Sequence, residues 1–183
     1  MNTQKHIGIV GVRIDFSAFG HEAGSRQGPD AIRSAGLLRA FDKHAIPYQD
    51  YGNVEIPPGQ GVADPRLKHR AEIATVAKAV HAEVATCLER EQFPVVIGGD
   101  HSGSIGPLQA AIDRYGDELG LLYIDAHADA NTEHTTPSGN IHGMVIPQIT
   151  AGGTRDLMDI GKMKMPFRNI MLLGVKDVDG AEW

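Results

Sequence analysis

Short apolar segments alternate along this chain with longer segments that have a helical pattern. Nearly every residue of the short segments is apolar, whereas a strand with one face in water is apolar only at every second position. Strands buried on both faces, with helices between them, are typical of a parallel sheet covered by helices. The sequence therefore predicts a three-layer α/β/α fold with a mostly parallel sheet, whose strands are residues 7–12, 93–97, 119–124 and 169–174.

The remaining segments fit between these strands without dividing the chain. Apolar residues recur every three or four positions before the second strand, which predicts the longest helix. Neither a repeat nor a linker is present, so residues 1–183 are predicted to form a single domain. Helices are expected over residues 29–38, 67–91 and 104–115, an edge strand over 46–51, and loops over 15–29 and 54–65.

Charge and hydropathy exclude several classes of partner. The net charge is −6 and there is no basic run, so a nucleic-acid partner is not expected. No apolar run approaches the roughly 20 residues of a membrane span, so no membrane association is expected either. Cys87 is the only cysteine and cannot form an internal disulfide, which favours a reducing, cytoplasmic location. We interpret Cys87 as a small core residue.

Ionisable residues collect just after two of the apolar strands, where open α/β sheets bind ligands. His101 follows one strand, and Asp125, His127 and Asp129 follow the next. Alternate residues of an extended segment point the same way, so the Asp-X-His-X-Asp spacing can direct three side chains to one point. Imidazole and carboxylate ligands suit Mn²⁺ or Zn²⁺. The alternative is that these are ordinary loop and helix-capping residues, as Asp100, Ser102 and Ser104 can be.

These segments resemble successive motifs of the ureohydrolases, and of the arginase family in particular. The resemblance extends to both ends of the chain, through GSRQGP at residues 24–29 and GVKDVD at 174–179. It implies the arginase-like fold and hydrolysis of the L-arginine guanidinium to urea and L-ornithine. The central motifs occur in family order and with family spacing: GGDHS at 98–102, DAHAD at 125–129 and SGNIHG at 138–143.

The resemblance also implies a site with two Mn²⁺ ions and a bridging hydroxide. His101 would bind the first ion together with Asp125 and Asp129. His127 would bind the second ion, with Asp125 shared between the two. His142 would carry a proton to the leaving amine, a task that suits a side chain whose pKa lies near neutrality.

Substrate recognition is implied at four further positions. Asn131, Ser138 and Asn140 match positions that hold the substrate α-carboxylate, and Asp179 matches one that meets the α-amino group. This loop favours arginase over agmatinase, whose substrate lacks the carboxylate. The alternative for Ser138 and Asn140 is a polar turn around Gly139.

The chain departs from the family in lacking the downstream Ser-X-Asp-X-Asp motif, which gives each ion another aspartate. The first ion would keep three protein ligands and the second only two, whereas Mn²⁺ prefers about six. We therefore expect weak or single metal occupancy and an inactive chain when it is alone. Strand edges would also be left unpaired in an incomplete domain that lacks the C-terminal strands and helices.

Three functions follow from this comparison. The first is an arginase-type hydrolase, in a family whose members are commonly trimers or hexamers. The second is a non-catalytic remnant or partner subunit that binds metal or another chain through its incomplete sheet. The third is a ureohydrolase that acts on another guanidino acid.

Overall fold

Parallel strands and helices alternate through the chain, which confirms the predicted α/β class. The computed structural model describes residues 6–16, 24–59, 61–180 and 182, so residues 17–23 of the expected loop 15–29 lie outside the described part. The strands are β1 (Ile7–Val12), β2 (Tyr48–Val54), β3 (Phe93–Gly98), β4 (Leu121–Ile124) and β5 (Ile170–Leu173). The helices are α1 (Gly28–Ser34), α2 (Leu37–Lys43), α3 (Arg70–Glu89), α4 (Ile105–Tyr115), α5 (Val145–Ile149) and α6 (Arg155–Met158).

The strands form two separate parallel sheets. The first has the order β2-β1-β3 and the second pairs β4 with β5. Within the described residues no strand pairing joins β3 to β4. The two sheets nevertheless meet at their carboxyl ends, where the segments after β3 and β4 come into contact.

Helix α3 covers one face of the first sheet and α1 lies on the other. The apolar stripe of α3, in which Val76, Val80 and Val84 are fully buried, packs into the main core. Cys87 lies on the same face, completely buried, and burial raises the pKa of its thiol, as expected for a core residue. Helix α4 crosses α3 closely because Gly106 has no side chain: a Cβ there would lie 2.2 Å from the Ala77 carbonyl oxygen.

Several element boundaries differ from the predicted ones by one to three residues, and two of the differences have a clear local context. The single helix expected over residues 29–38 is two helices, because Gly36 between them has a left-handed backbone with φ of 112°. Strand β2 runs further than the predicted edge strand and includes Asn53. The reason is a side-chain network: the Arg33 guanidinium donates to both carboxylate oxygens of Asp50, at 2.8 and 2.7 Å, and to Asn53.

One face of the second sheet is apolar and exposed. Leu122 and Ile124 of β4 lie beside Met171 and Leu173 of β5, and all four are more than half exposed. We call these four residues the β4–β5 outer face. The opposite face carries Tyr123, which is buried in the main core. Helices therefore cover both faces of the first sheet, as predicted, but within the described residues only one face of the second.

Candidate metal centre and substrate cleft

The segment after β3 is folded tightly against the end of β1. A Cβ at Gly99 would lie 1.8 Å from the Ile14 carbonyl oxygen, so only glycine fits this approach. The Asp100 carboxylate accepts hydrogen bonds from the backbone N–H groups of Ser102, at 3.0 Å, and Phe16, at 2.8 Å. Asp100 thus caps the turn that begins at His101, as the capping alternative expected. This cap fixes the position from which the His101 side chain extends.

Three of the predicted metal ligands lie together. His101 Nδ1 is 2.9 Å from Asp129 Oδ2 and 3.2 Å from Asp125 Oδ2. One ligand atom from each residue fits within 4.8 Å of the other two. Asp129 is buried, while His101 and Asp125 are half-buried at the mouth of the cluster. One imidazole and two carboxylates in this arrangement are a donor set that fits a divalent ion such as Mn²⁺ or Zn²⁺.

The convergence of these side chains depends on a turn as well as on strand alternation. Beyond β4 the backbone stays paired with the chain after β5, through Asp125 N–H to the Leu173 carbonyl at 3.1 Å and Lys176 N–H to the Ala126 carbonyl at 2.8 Å. The chain bends at Ala126, and Asp129 has a φ of 48°. This left-handed conformation is uncommon outside glycine, and the Asp129 carboxylate contacts His101.

The charges of the cluster are mutually supportive. Burial lowers the pKa of His101, but the hydrogen bond to Asp129 and the charges of Asp129 and Asp125 outweigh it, so the pKa lies above its ordinary value of 6.5. Burial raises the pKa of Asp125, but the His127 backbone N–H and both neighbouring imidazoles lower it more. The two shifts favour an ionised Asp125 carboxylate beside a cationic His101 imidazole while no ion is bound.

His127 is placed differently from the other three. Its side chain is 64% exposed, and its Nδ1 lies 3.3 Å from Asp125 Oδ1. It is not part of the three-residue cluster found among the described residues. His127 instead lines a neighbouring cleft, and the carboxylate that it contacts, Asp125, is not part of the lining of that cleft.

This cleft, with a cavity volume of about 140 Å³, brings together the remaining predicted site residues. His142 lies in its wall, and its Nδ1 is buried without a hydrogen-bond partner among the described residues. The Asn131 amide donates to Asp179 Oδ2 at 2.7 Å. The cleft is lined by His127, Asp129, Asn131, Ser138, Asn140, His142 and Asp179, with Thr136, Asp177 and Glu182 among the others.

Ser138 and Asn140 flank a tight turn, so the alternative interpretation describes their backbone correctly. Gly139 has φ of 74°, and a Cβ there would lie 1.8 Å from the Pro65 carbonyl oxygen. The turn is also fastened to the chain before α3, because Lys68 N–H donates to the Gly139 carbonyl at 3.0 Å. Both side chains nevertheless line the cleft, so being in a turn does not exclude substrate contact.

Two residues of the site carry no recognisable sequence signal. Glu182 accepts hydrogen bonds from the backbone N–H groups of Ala130 and Asp179, both at 2.8 Å, and so ties together the two segments that line the cleft. Tyr123 donates its hydroxyl hydrogen to Asp129 at 2.7 Å. Burial and the charge of Asp129 raise the pKa of Tyr123 well above its ordinary value, so it remains a donor. The sequence places Tyr123 only within the predicted strand 119–124.

The fold and the site together define an α/β protein with a candidate divalent-metal centre at the carboxyl ends of parallel strands. The sequence profile of the arginase family matches residues 5–183. The arginase of Staphylococcus aureus (strain MRSA252) is 36% identical over 187 residues, covering 100% of this chain. The chain therefore belongs to the arginase family, as its motifs predicted.

Solved structures agree with this assignment. The crystal structure of Bacillus cereus arginase matches 97% of this chain with a TM-score of 0.87 and 33% identity. The Entamoeba histolytica arginase, solved in complex with L-ornithine, has the same fold, with a TM-score of 0.86 at 23% identity. This chain spans 61% of the length of the Staphylococcus aureus protein and 59% of the Bacillus cereus chain.

None of the described helices is both long and apolar enough to span a membrane.

Proposed function

We propose that this chain forms the metal- and substrate-binding part of an arginase-type ureohydrolase, which hydrolyses the L-arginine guanidinium to urea and L-ornithine. The observation that carries the proposal is the position of the His101–Asp125–Asp129 cluster beside a cleft whose lining combines neutral hydrogen-bonding side chains with carboxylates. Asp129 belongs to both the cluster and the cleft wall, so a ligand in the cleft can reach an ion in the cluster.

The donor set supports one well-held ion and a second, weaker one. His101, Asp125 and Asp129 would hold the first Mn²⁺, and His127 with the shared Asp125 would hold the second. Bound Mn²⁺ would lower the pKa of water and so supply the nucleophile near neutral pH. Because His127 lies outside the three-residue cluster, we expect single or weak occupancy and little turnover by the chain alone.

The cleft residues can orient an amino acid substrate by its two charged groups. Asn131, Ser138 and Asn140 would hydrogen-bond the α-carboxylate, and neutral donors suit this because a cation there would compete with the metal ions for the nearby carboxylates. Asp179, already paired with Asn131, would accept from the α-ammonium group. His142 lies on the same wall of the cleft, where its imidazole would exchange a proton with the leaving amine.

Binding calorimetry on the Mn²⁺-loaded chain tests this assignment with three related ligands. L-arginine carries both charged groups, guanidinobutyrate lacks the α-amino group, and agmatine lacks the carboxylate. We expect L-arginine to bind most tightly, with urea release measured in the same samples being slow. No Mn²⁺ uptake would contradict the metal centre, whereas tighter binding of guanidinobutyrate would favour a ureohydrolase for another guanidino acid.

A second candidate function is association with another polypeptide, as a partner subunit or in a homo-oligomer. The exposed β4–β5 outer face favours it, because contiguous apolar surface of this kind marks interaction sites. The unpaired edges of β3 and β4 could also accept additional strands. Sedimentation velocity of the chain distinguishes the cases: a monomer at all concentrations that also binds no apolar dye would contradict this function.

A further inference from the structure

Tyr123 contacts two of the three residues of the candidate metal cluster. It lies on β4, is only 5% exposed, and donates its hydroxyl hydrogen to Asp129 Oδ2 at 2.7 Å. Its ring stacks on the His101 imidazole, with centroids 4.8 Å apart and an angle of 13° between the planes. One buried side chain therefore constrains a carboxylate and an imidazole at once.

The hydrogen bond to Asp129 is compatible with metal binding. A carboxylate offers about four lone-pair sites, so it can accept the phenol hydrogen and still coordinate an ion. The bond thus fixes the direction of a carboxylate on a residue with a left-handed backbone, whose φ is 48°. The Tyr123 oxygen also lies 3.1 Å from His101 Nδ1 and can accept from it while no ion is bound.

We infer that Tyr123 is a positioning residue of the metal centre: its hydroxyl orients the Asp129 carboxylate and its ring fixes the plane of the His101 imidazole. This inference rests on the proposed function, because it assumes that the cluster binds a divalent ion. Groups that orient metal ligands without touching the ion commonly contribute about tenfold to a hundredfold in metal affinity. A residue with only a packing role would contribute to stability but not selectively to metal binding.

The test compares Tyr123→Phe with Tyr51→Phe in the whole chain. Tyr51, on β2, is the matched control. Its hydroxyl donates to Gln92 Oε1 at 2.7 Å, and neither residue belongs to the metal cluster or the cleft. The probe is Co²⁺, whose visible absorption reports the ligand geometry, and the melting temperature of the metal-free protein reports stability. Phenylalanine keeps the ring and its stacking, so Tyr123→Phe isolates the hydroxyl.

We expect Tyr123→Phe to weaken Co²⁺ binding by about tenfold or more and to change the absorption of the bound ion. Tyr51→Phe should alter neither, although both variants lower the melting temperature. Wild-type Co²⁺ affinity and absorption in Tyr123→Phe would overturn the inference while leaving the metal centre intact. A wild-type chain that binds no Co²⁺ would overturn the proposed centre and the inference with it. If Tyr123→Phe does not fold, Tyr123→Trp, which keeps a buried ring without the hydroxyl, is judged by the same outcomes.

Discussion

The Asn131 amide donates a 2.7 Å hydrogen bond to Asp179, which joins the loop after β4 to the chain after β5 across the floor of the cleft. Both residues are proposed above to contact the amino acid end of the substrate. Their contact means that one half of the recognition surface positions the other. Substitutions at Asp179 therefore have to separate loss of charge from loss of this contact.

Asp179→Asn removes the charge and keeps an oxygen that can accept from Asn131. We expect it to weaken L-arginine binding by about tenfold or more, since a hydrogen bond to a charged group contributes about 1.5–3 kcal/mol. Guanidinobutyrate, which has no α-ammonium group, should bind with unchanged affinity. Calorimetry with both ligands on both proteins measures the difference. An equal loss for the two ligands would mean that Asp179 supports the cleft without reading the ammonium group.

His101→Ala removes one of the three donors of the metal cluster. The affinity of this variant for Mn²⁺ should fall by more than about tenfold. Even groups that do not touch the ion contribute about tenfold to metal affinity, so loss of a direct ligand should cost more. His127→Ala should have a smaller effect, because that side chain lies outside the cluster. His134→Ala is the control, since its side chain is 76% exposed on the neighbouring loop. Metal analysis after dialysis measures all three, and equal Mn²⁺ retention by His101→Ala and His134→Ala would contradict the ligand assignment.

Asp50→Asn tests the network that joins α1 to β2. Hydrogen bonds from Arg33 hold the pKa of Asp50 below its ordinary value of 3.8. The ionised carboxylate therefore stabilises the fold above that value, and the contribution is lost as the pH falls through the lower folded-state pKa. We expect the free energy of unfolding at pH 7 to fall by about 1.5–3 kcal/mol, and the difference from wild type to shrink below about pH 4.

Urea unfolding across this pH range measures the effect of Asp50→Asn. Asp117→Asn is a suitable control, because its pair with Arg168 is 3.7 Å long and both side chains are more than 70% exposed. That substitution should leave stability unchanged at every pH. A difference for Asp50→Asn that did not depend on pH would show that its charge is not what stabilises the network.

Ile124→Glu places a charge on the β4–β5 outer face, where Ile124 is 71% exposed. If this face mediates self-association, the variant should shift the sedimentation distribution toward the monomer. Ile32→Glu changes a 41% exposed isoleucine on α1 and should not. Identical distributions for wild type and Ile124→Glu, at concentrations where wild type associates, would assign the association to another surface.

Much of the site could be predicted because parallel strands end at the same edge of a sheet. That rule alone places His101 near Asp125, and the motifs place the cleft residues around them. The left-handed turn at Asp129 could not be predicted in this way, since nothing in DAHAD requires it. Strand alternation predicted convergence of Asp125, His127 and Asp129. In the structure both carboxylates contact His101, and His127 contacts Asp125 from outside the three-residue cluster.

The remaining differences have local causes. The break between α1 and α2 falls at Gly36, a residue that signals a helix end but lies inside an otherwise apolar stripe. The contacts of Tyr123 and Glu182 join positions 6 and 52 residues apart, and such pairings depend on the assembled fold. The separation of the sheet into two parts depends in the same way on which strands become neighbours.

That separation gives the candidate metal centre a mechanical role. His101 extends from the first sheet, Asp125 and Asp129 extend from the second, and the described strands share no backbone ladder across the boundary. An ion held by all three would act as a crosslink between two halves that are otherwise joined by packing, by side chains and by isolated backbone bonds such as the one from Lys68 to Gly139. Its binding energy would then oppose their separation, so metal uptake should slow amide exchange in β3 and β4 together.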